Sequence, residues 1–251
     1  APLRDIAVLY RANFQSRVLE EACLTHNLPY QVLGTKFYDR KEVKDILAYL
    51  RLAWNPESIS DLKRVINTPA RGIGKTTLLK IVEGREEELP IKMQAKINSF
   101  RTLLHKIKHF SLDNKLSKTI NFIAEESGII KELGKTEEDI ERLENIKELI
   151  VLASRYDNLN NEEAVEKLLE DTSLASDQDS AKEDMEAIRL MTVHASKGLE
   201  FKNVFIVGLE EGLFPHNRSQ NENVSEEEAE EERRLFYVAV TRAEKKLFMS
   251  Y

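Results

Sequence analysis

Residues 68–82 read TPARGIGKTTLLKIV, and the fold turns on what the GIGKTT within them is. A phosphate-binding loop of the pattern G-x-x-x-x-G-K-[ST] sits between a buried strand and a helix, and its glycines let main-chain amides wrap the phosphates. The pattern needs a glycine five residues before Gly74, and that position holds Pro69. The segment ahead, SISDLKRVIN (58–67), carries charges at helical spacing and no β-run. The half-motif therefore lies in helical surroundings, and the α/β part of the chain must be sought on either side of it.

Both flanks supply it. DIAVLY (5–10) is a nearly continuous apolar run, as expected of a strand buried on both faces. Leu19, Ala22, Cys23 and His26 then recur at helical spacing, YQVLG (30–34) reads as a short strand, and Val43, Ile46, Leu47 and Leu50 mark another helix. From Pro56 to Glu186 helical periods dominate: Met93, Ile97, Phe100, Leu104 and Ile107, then Ile140, Leu143, Ile146, Leu149 and Ile150. After residue 187 the strands AIRLMTV and NVFIVGL precede a long helix and a closing strand. The expected fold class is α/β: one discontinuous parallel-sheet domain from residues 1–55 and 188–251, with an all-helical domain, 56–187, inserted in it.

The 251 residues are 41% hydrophobic and 32% charged, the balance of a soluble globular protein of one large domain or two ordinary ones. No apolar run approaches a membrane span and no signal-peptide pattern opens the chain. Cys23 is the single cysteine, so no internal disulfide forms, which suits a cytoplasmic location. The first residue is not Met and the last seven, KKLFMSY, look like a strand, so the chain is expected to be a piece of a longer protein. The net charge of −7 rests on seven glutamates between Glu222 and Glu232; without them 37 acidic residues face 37 basic ones. An acidic total therefore does not exclude nucleic acid, since local patches govern phosphate contacts.

Three places carry chemistry. In the helical pattern EEERRLFYVAVTRAEKK (230–246), Leu235, Val238 and Ala239 share a face from which Arg242 also projects. A guanidinium on an apolar stripe needs an anion, either an internal carboxylate or a phosphate across a cleft. In LMTVHASKGLEFKNVFIVGLEEGLFPH (190–216), the polar connection HASKG follows a strand, where α/β sheets gather ligands, and it brings His194, Lys197 and Glu200 close in sequence. Tyr10 and Arg11 end the first strand, an aromatic ring beside a guanidinium that suits a base and a phosphate.

The stretches IAVLYRANFQSRVLEE, KFYDRKEVKD, INTPARGIG, LMTVHASKGLEF, GLFPHNRS and EEERRLFYVAVTRAE, in this order, resemble the C-terminal motifs of the UvrD/PcrA/Rep family of superfamily one DNA helicases, closest to its PcrA and UvrD members. The resemblance covers essentially the whole chain. It implies that the α/β ends form the second RecA-like motor domain, 2A, and that the insertion is the accessory domain 2B. The P-loop, the Mg²⁺ ligands and the catalytic glutamate would belong to N-terminal motor domains of the same polypeptide, with no metal held by this chain.

By the same resemblance, Tyr10 would stack on the adenine of ATP, Arg11 would reach its terminal phosphate, Glu200 its ribose, and Arg242 would be the arginine finger. His194 and Lys197 would couple the nucleotide to the single-strand track, and His216 would touch that strand. Arg71, Gly72, Ile73, Gly74, Lys75 and Thr76 would form a helix–hairpin–helix-like grip on duplex backbone, with Arg71 and Lys75 adding attraction to phosphate. The implied function is 3′-to-5′ unwinding at a duplex/single-strand junction in a bacterial, nucleoid-associated setting, with the piece alone inactive. The alternative is a non-enzymatic DNA-structure-binding or scaffold module. Two departures stand out: Ala239 where the family usually has glycine, and an insertion that looks short around VEGREEELPIKM (82–93).

Overall fold

A computed structural model describes residues 2–134, 136–177, 186–215 and 226–251. The chain divides into two compact units, Ala1–Phe37 with Ser180–Tyr251, and Tyr38–Asp179.

The first unit is built on a five-stranded, all-parallel sheet in the order β2-β3-β1-β4-β5. The strands are β1 (Ile6–Tyr10), β2 (Tyr30–Leu33), β3 (Ile188–Thr192), β4 (Phe201–Ile206) and β5 (Ala243–Met249). The centre of the sheet is β1, paired with β3 through Ala7↔Arg189 to Tyr10↔Thr192 and with β4 through Ile6↔Asn203 to Leu9↔Ile206. The two ends of the chain are thus hydrogen-bonded into one sheet, the α/β fold that the alternating flanks predict. Period-two alternation gives that sheet two buried faces. Ala7 and Leu9 point into a core with Met191, Val204, Ile206, Leu235 and Ala239, capped by the helix Glu226–Val240. Ile6, Val8 and Tyr10 point the other way, toward Cys23, Leu19 and Leu190, where helix α1 (Ser16–Thr25) packs.

The second unit is helical: α2 (Lys41–Trp54), α3 (Ile59–Val65), α4 (Lys75–Val82), α5 (Ile91–Asp113), α6 (Leu116–Glu126), α7 (Ile129–Glu132), α8 (Glu137–Ser154) and α9 (Asn161–Asp177). Its hub is α2, whose residues Val43, Ile46–Leu50, Leu52 and Ala53 are all buried. A helix buried on nearly every side has to be enclosed by others, and α3, α5, α6 and α8 pack on it. The packing boundary therefore falls at Tyr38, ahead of the change in sequence texture at Pro56. A buried polar chain ties the start of α2 to α8: Arg40 Nη1 donates to Asn145 Oδ1 at 2.5 Å, and Asn145 Nδ2 donates to Glu42 Oε1 at 2.7 Å. The helical period in 93–107 is realised in α5, where Ile97, Phe100 and Ile107 are buried.

The last helix, α10 (Glu226–Val240), ends before Thr241, and AEKKLFM becomes β5. Arg242 therefore sits just past the helix terminus, one residue before the strand, rather than on the helical stripe its spacing suggests.

Candidate nucleotide and nucleic-acid sites

In the first unit, Tyr10 and Arg11 lie at the carboxyl end of the central strand. Tyr10 is only 1% exposed and packs in the α1-side core. An enclosed ring offers no face to a base, so adenine stacking by Tyr10, expected from the resemblance, is not prepared in this conformation. Arg11 is also buried, and its guanidinium is engaged. Nε donates to Glu232 Oε1 and Oε2 at 2.9 and 3.2 Å, and Nη2 donates to Oε1 at 2.7 Å. Glu232, on α10, is the internal carboxylate the sequence reading missed as Arg11's partner. It lies in a run of acidic residues in which no single member stands out. The main-chain amides of Arg11 and Ala12 both donate to Gln15 Oε1, which sets the turn after β1.

Arg242 is held differently. Its Nε donates to Val238 O at 3.0 Å, Nη1 to Leu199 O at 2.9 Å and Nη2 to Thr241 Oγ1 at 3.0 Å. Carbonyls at the end of a helix lack main-chain donors and carry partial negative charge, so a cation caps them well. Three of the five guanidinium N–H groups are used in this way, and two stay uncommitted among the described residues.

The HASKG connection starts at the carboxyl end of β3 and must return to the amino end of β4, because the strands are parallel. His194 and Lys197, both exposed, lie on the way, and Glu200, exposed, stands at the amino end beside the Leu199 carbonyl that Arg242 grips. Of the four residues expected at nucleotide, the structure brings Glu200 near Arg242 and Tyr10 beside Arg11. Both arginines are anchored on α10, at Glu232 and at Val238. Those anchors are six residues apart, about 9 Å along a helix axis. His216 lies outside the described residues.

In the second unit, Arg71 turns inward. Nη1 donates to Val65 O, Ile66 O and Pro69 O at 3.1–3.4 Å, and Nη2 donates to Tyr49 Oη at 2.7 Å and Ser127 O at 3.2 Å. Its guanidinium carbon also lies 5.3 Å from the Phe100 ring centroid and 5.9 Å from that of Tyr49. The phosphate contact expected of Arg71 is thus replaced by an internal one, since its donors are spent on carbonyls and a phenol. Gly72 has φ +70°, a left-handed conformation suited to glycine, and Ile73 is a buried anchor. Gly74, Lys75 and Thr76 are exposed at the start of α4, which no side chain caps.

Of the two arginines, Arg242, a permanent cation with uncommitted N–H groups, suits a phosphate, whereas the charge of Arg11 is met by Glu232. Among the described residues no group of three or more His, Cys, Asp or Glu is placed to hold a metal ion. Among those residues, no helix is long and apolar enough to cross a membrane.

The chain belongs to the UvrD-like helicase C-terminal domain family, whose pattern matches residues 1–251. It is 41% identical to the ATP-dependent DNA helicase PcrA of Bacillus subtilis (strain 168), over 99% of this chain and 36% of that protein. It is 38% identical to DNA helicase II of Haemophilus influenzae and 37% identical to DNA helicase II of Escherichia coli (strain K12), each over 99% of this chain and 37% of the relative. The chain thus spans little more than a third of the length of the curated relatives it matches. The PcrA alignment runs over 273 positions, more than the 251 residues here, so that relative carries residues this chain lacks.

Proposed function

We propose that this chain is the C-terminal motor and accessory portion of an ATP-dependent DNA helicase that moves 3′ to 5′ on one strand. The unit of residues 1–37 and 180–251 acts as motor domain 2A and that of residues 38–179 as accessory domain 2B. Arg242 is the arginine finger, its two uncommitted N–H groups turned to the terminal phosphate of ATP held with Mg²⁺ by N-terminal motor domains of the same polypeptide. Arg11 senses that phosphate from the other end of α10, and Glu200 meets the ribose. His194 and Lys197 connect nucleotide to single strand. The exposed start of α4, with Gly72, Gly74, Lys75 and Thr76, grips duplex backbone at the junction. The isolated chain neither hydrolyses ATP nor unwinds DNA, because half the nucleotide site lies elsewhere.

The observation that supports this most is the hold on Arg242, which spends three of its five N–H groups on Val238 O, Leu199 O and Thr241 Oγ1 and keeps two uncommitted among the described residues. The test is steady-state ATPase and strand displacement with the full polypeptide. Arg242→Lys should lower kcat by about 10³–10⁵ with little change in KM for ATP. Displacement should need a 3′ and not a 5′ tail. A kcat within a few-fold of wild type in Arg242→Lys would remove Arg242 from the finger role. DNA-stimulated ATPase missing from the full polypeptide itself would favour a scaffold module.

A further inference from the structure

The TPARGIG turn carries an internal device that the proposed DNA grip does not require of itself. Its amides fall into two sets. Ala70 N donates to Glu132 Oε1 at 3.1 Å, and Arg71 N and Ile73 N donate to Asn67 Oδ1 at 2.8 and 3.1 Å, so these three are tied inward by side chains. Among the described residues the amides of Gly72, Gly74, Lys75, Thr76 and Thr77 have no partner, and Gly72, Gly74, Lys75 and Thr76 are exposed. A row of unpaired amides at a helix start is an anion cradle only if the turn is held rigid.

Beside the buried Ile73, the turn is held by a cation, Arg71. Val65 and Ile66 provide carbonyls at the end of α3, and Ser127 provides one at the end of α6. Two helix C-termini thus converge on one guanidinium, which neutralises their partial negative charge. Tyr49, fully buried on α2, donates its hydroxyl to Thr68 O at 2.5 Å while accepting from Arg71, and Lys96 Nζ donates to Arg71 O at 2.7 Å.

We infer that Arg71 and Tyr49 are positioning residues for duplex binding: they touch no DNA and instead lock the turn so that its outward amides meet a backbone phosphate. This rests on the reading that the turn grips duplex backbone. A planar fork serving several carbonyls at once cannot be replaced by an ammonium, so charge alone does not preserve the function.

The experiment uses the full polypeptide and fluorescence anisotropy with a duplex bearing a 3′ tail, across a salt series, with thermal melts as a folding control. Tyr49→Phe and Arg71→Lys should each weaken binding about five- to tenfold, leaving the dependence of log Kd on log salt unchanged. Lys75→Met, a direct contact, should lower that dependence by about 0.9. Wild-type affinity in both Tyr49→Phe and Arg71→Lys, with Lys75→Met still lowering the slope, overturns the inference. So does a lowered slope in Arg71→Met with full rescue by Arg71→Lys, which marks a direct phosphate contact. If Lys75→Met and Gly72→Val both leave affinity and slope untouched, the DNA reading of the turn itself fails. Should Arg71→Lys not fold, Tyr49→Phe, which removes one oxygen and keeps the ring, decides alone.

Discussion

Glu232 grips Arg11 through both carboxylate oxygens, at 2.7–3.2 Å, in a place where neither side chain is more than 8% exposed. One partner ends the central strand and the other belongs to α10, so the pair fixes the helix relative to the sheet edge. Breaking a buried pair leaves a stranded charge, which costs about 3–5 kcal/mol. Glu232→Gln should lower unfolding free energy in urea by that order. Arg11→Met/Glu232→Gln together should cost clearly less than the sum of the single changes, and strict additivity in the double-mutant cycle would show the pair to be uncoupled.

Gly72 and Gly74 should respond differently to the same change. At Gly72 the φ of +70° disfavours any side chain, and a Cβ there would lie 2.9 Å from Lys96 Nζ, which holds the Arg71 carbonyl. Gly72→Ala should cost about 1–2 kcal/mol and weaken DNA binding. Gly74 has φ −85° and no atom within 4 Å of a Cβ, so Gly74→Ala should stay within about 0.5 kcal/mol of wild type. Equal losses from the two alanines, measured by denaturant unfolding, would contradict the geometry.

Burial pushes the Tyr49 phenol up to about 12, against the pull of Arg71 toward lower values. Because the folded state holds this proton more tightly than the unfolded chain, the contribution is full below pH 10. It is lost as pH rises from about 10 to 12 and amounts to about 3 kcal/mol at most. Ultraviolet titration should show a late-titrating phenol near pH 12 that is lost in Tyr49→Phe. A late phenol that survives this substitution would belong to another residue.

The Cys23 thiol is raised, first by burial and then by Glu20. Reaction requires the thiolate, so alkylation by iodoacetamide at pH 8 should be slow in the native protein and fast in urea. Prompt native labelling would mean that α1 opens readily from the sheet.

The strands were legible because a central parallel sheet demands continuous apolar runs, and DIAVLY and NVFIVGL supply them. The inserted helices were legible from spacing, as Ile97, Phe100 and Ile107 show. The affiliation of α2 was not, because a helix after a strand reads the same whether it covers that sheet or leads into another unit. Only its all-round burial decides. The site residues divide in the same way. Spacing can mark Arg71 as a cation in a loop, but the carbonyls that draw it inward come from the ends of α3 and α6, the second of them at Ser127. Glu232 was hidden for a comparable reason: among several neighbouring glutamates only the one at a given helical angle meets Arg11.

The strand order has a consequence for how the chain is made. The central strand, β1, is synthesised first, yet Ala7 pairs with Arg189 and Val8 with Phe205. At about 5–20 residues per second, roughly 10–40 s pass before its neighbours leave the ribosome. The helical insertion can finish folding in that interval, while Ile6–Tyr10 waits as an unpaired apolar ribbon. The central strand therefore stays without its hydrogen-bonded neighbours until residues 188–206 have been made, and the sheet can close only as a late event.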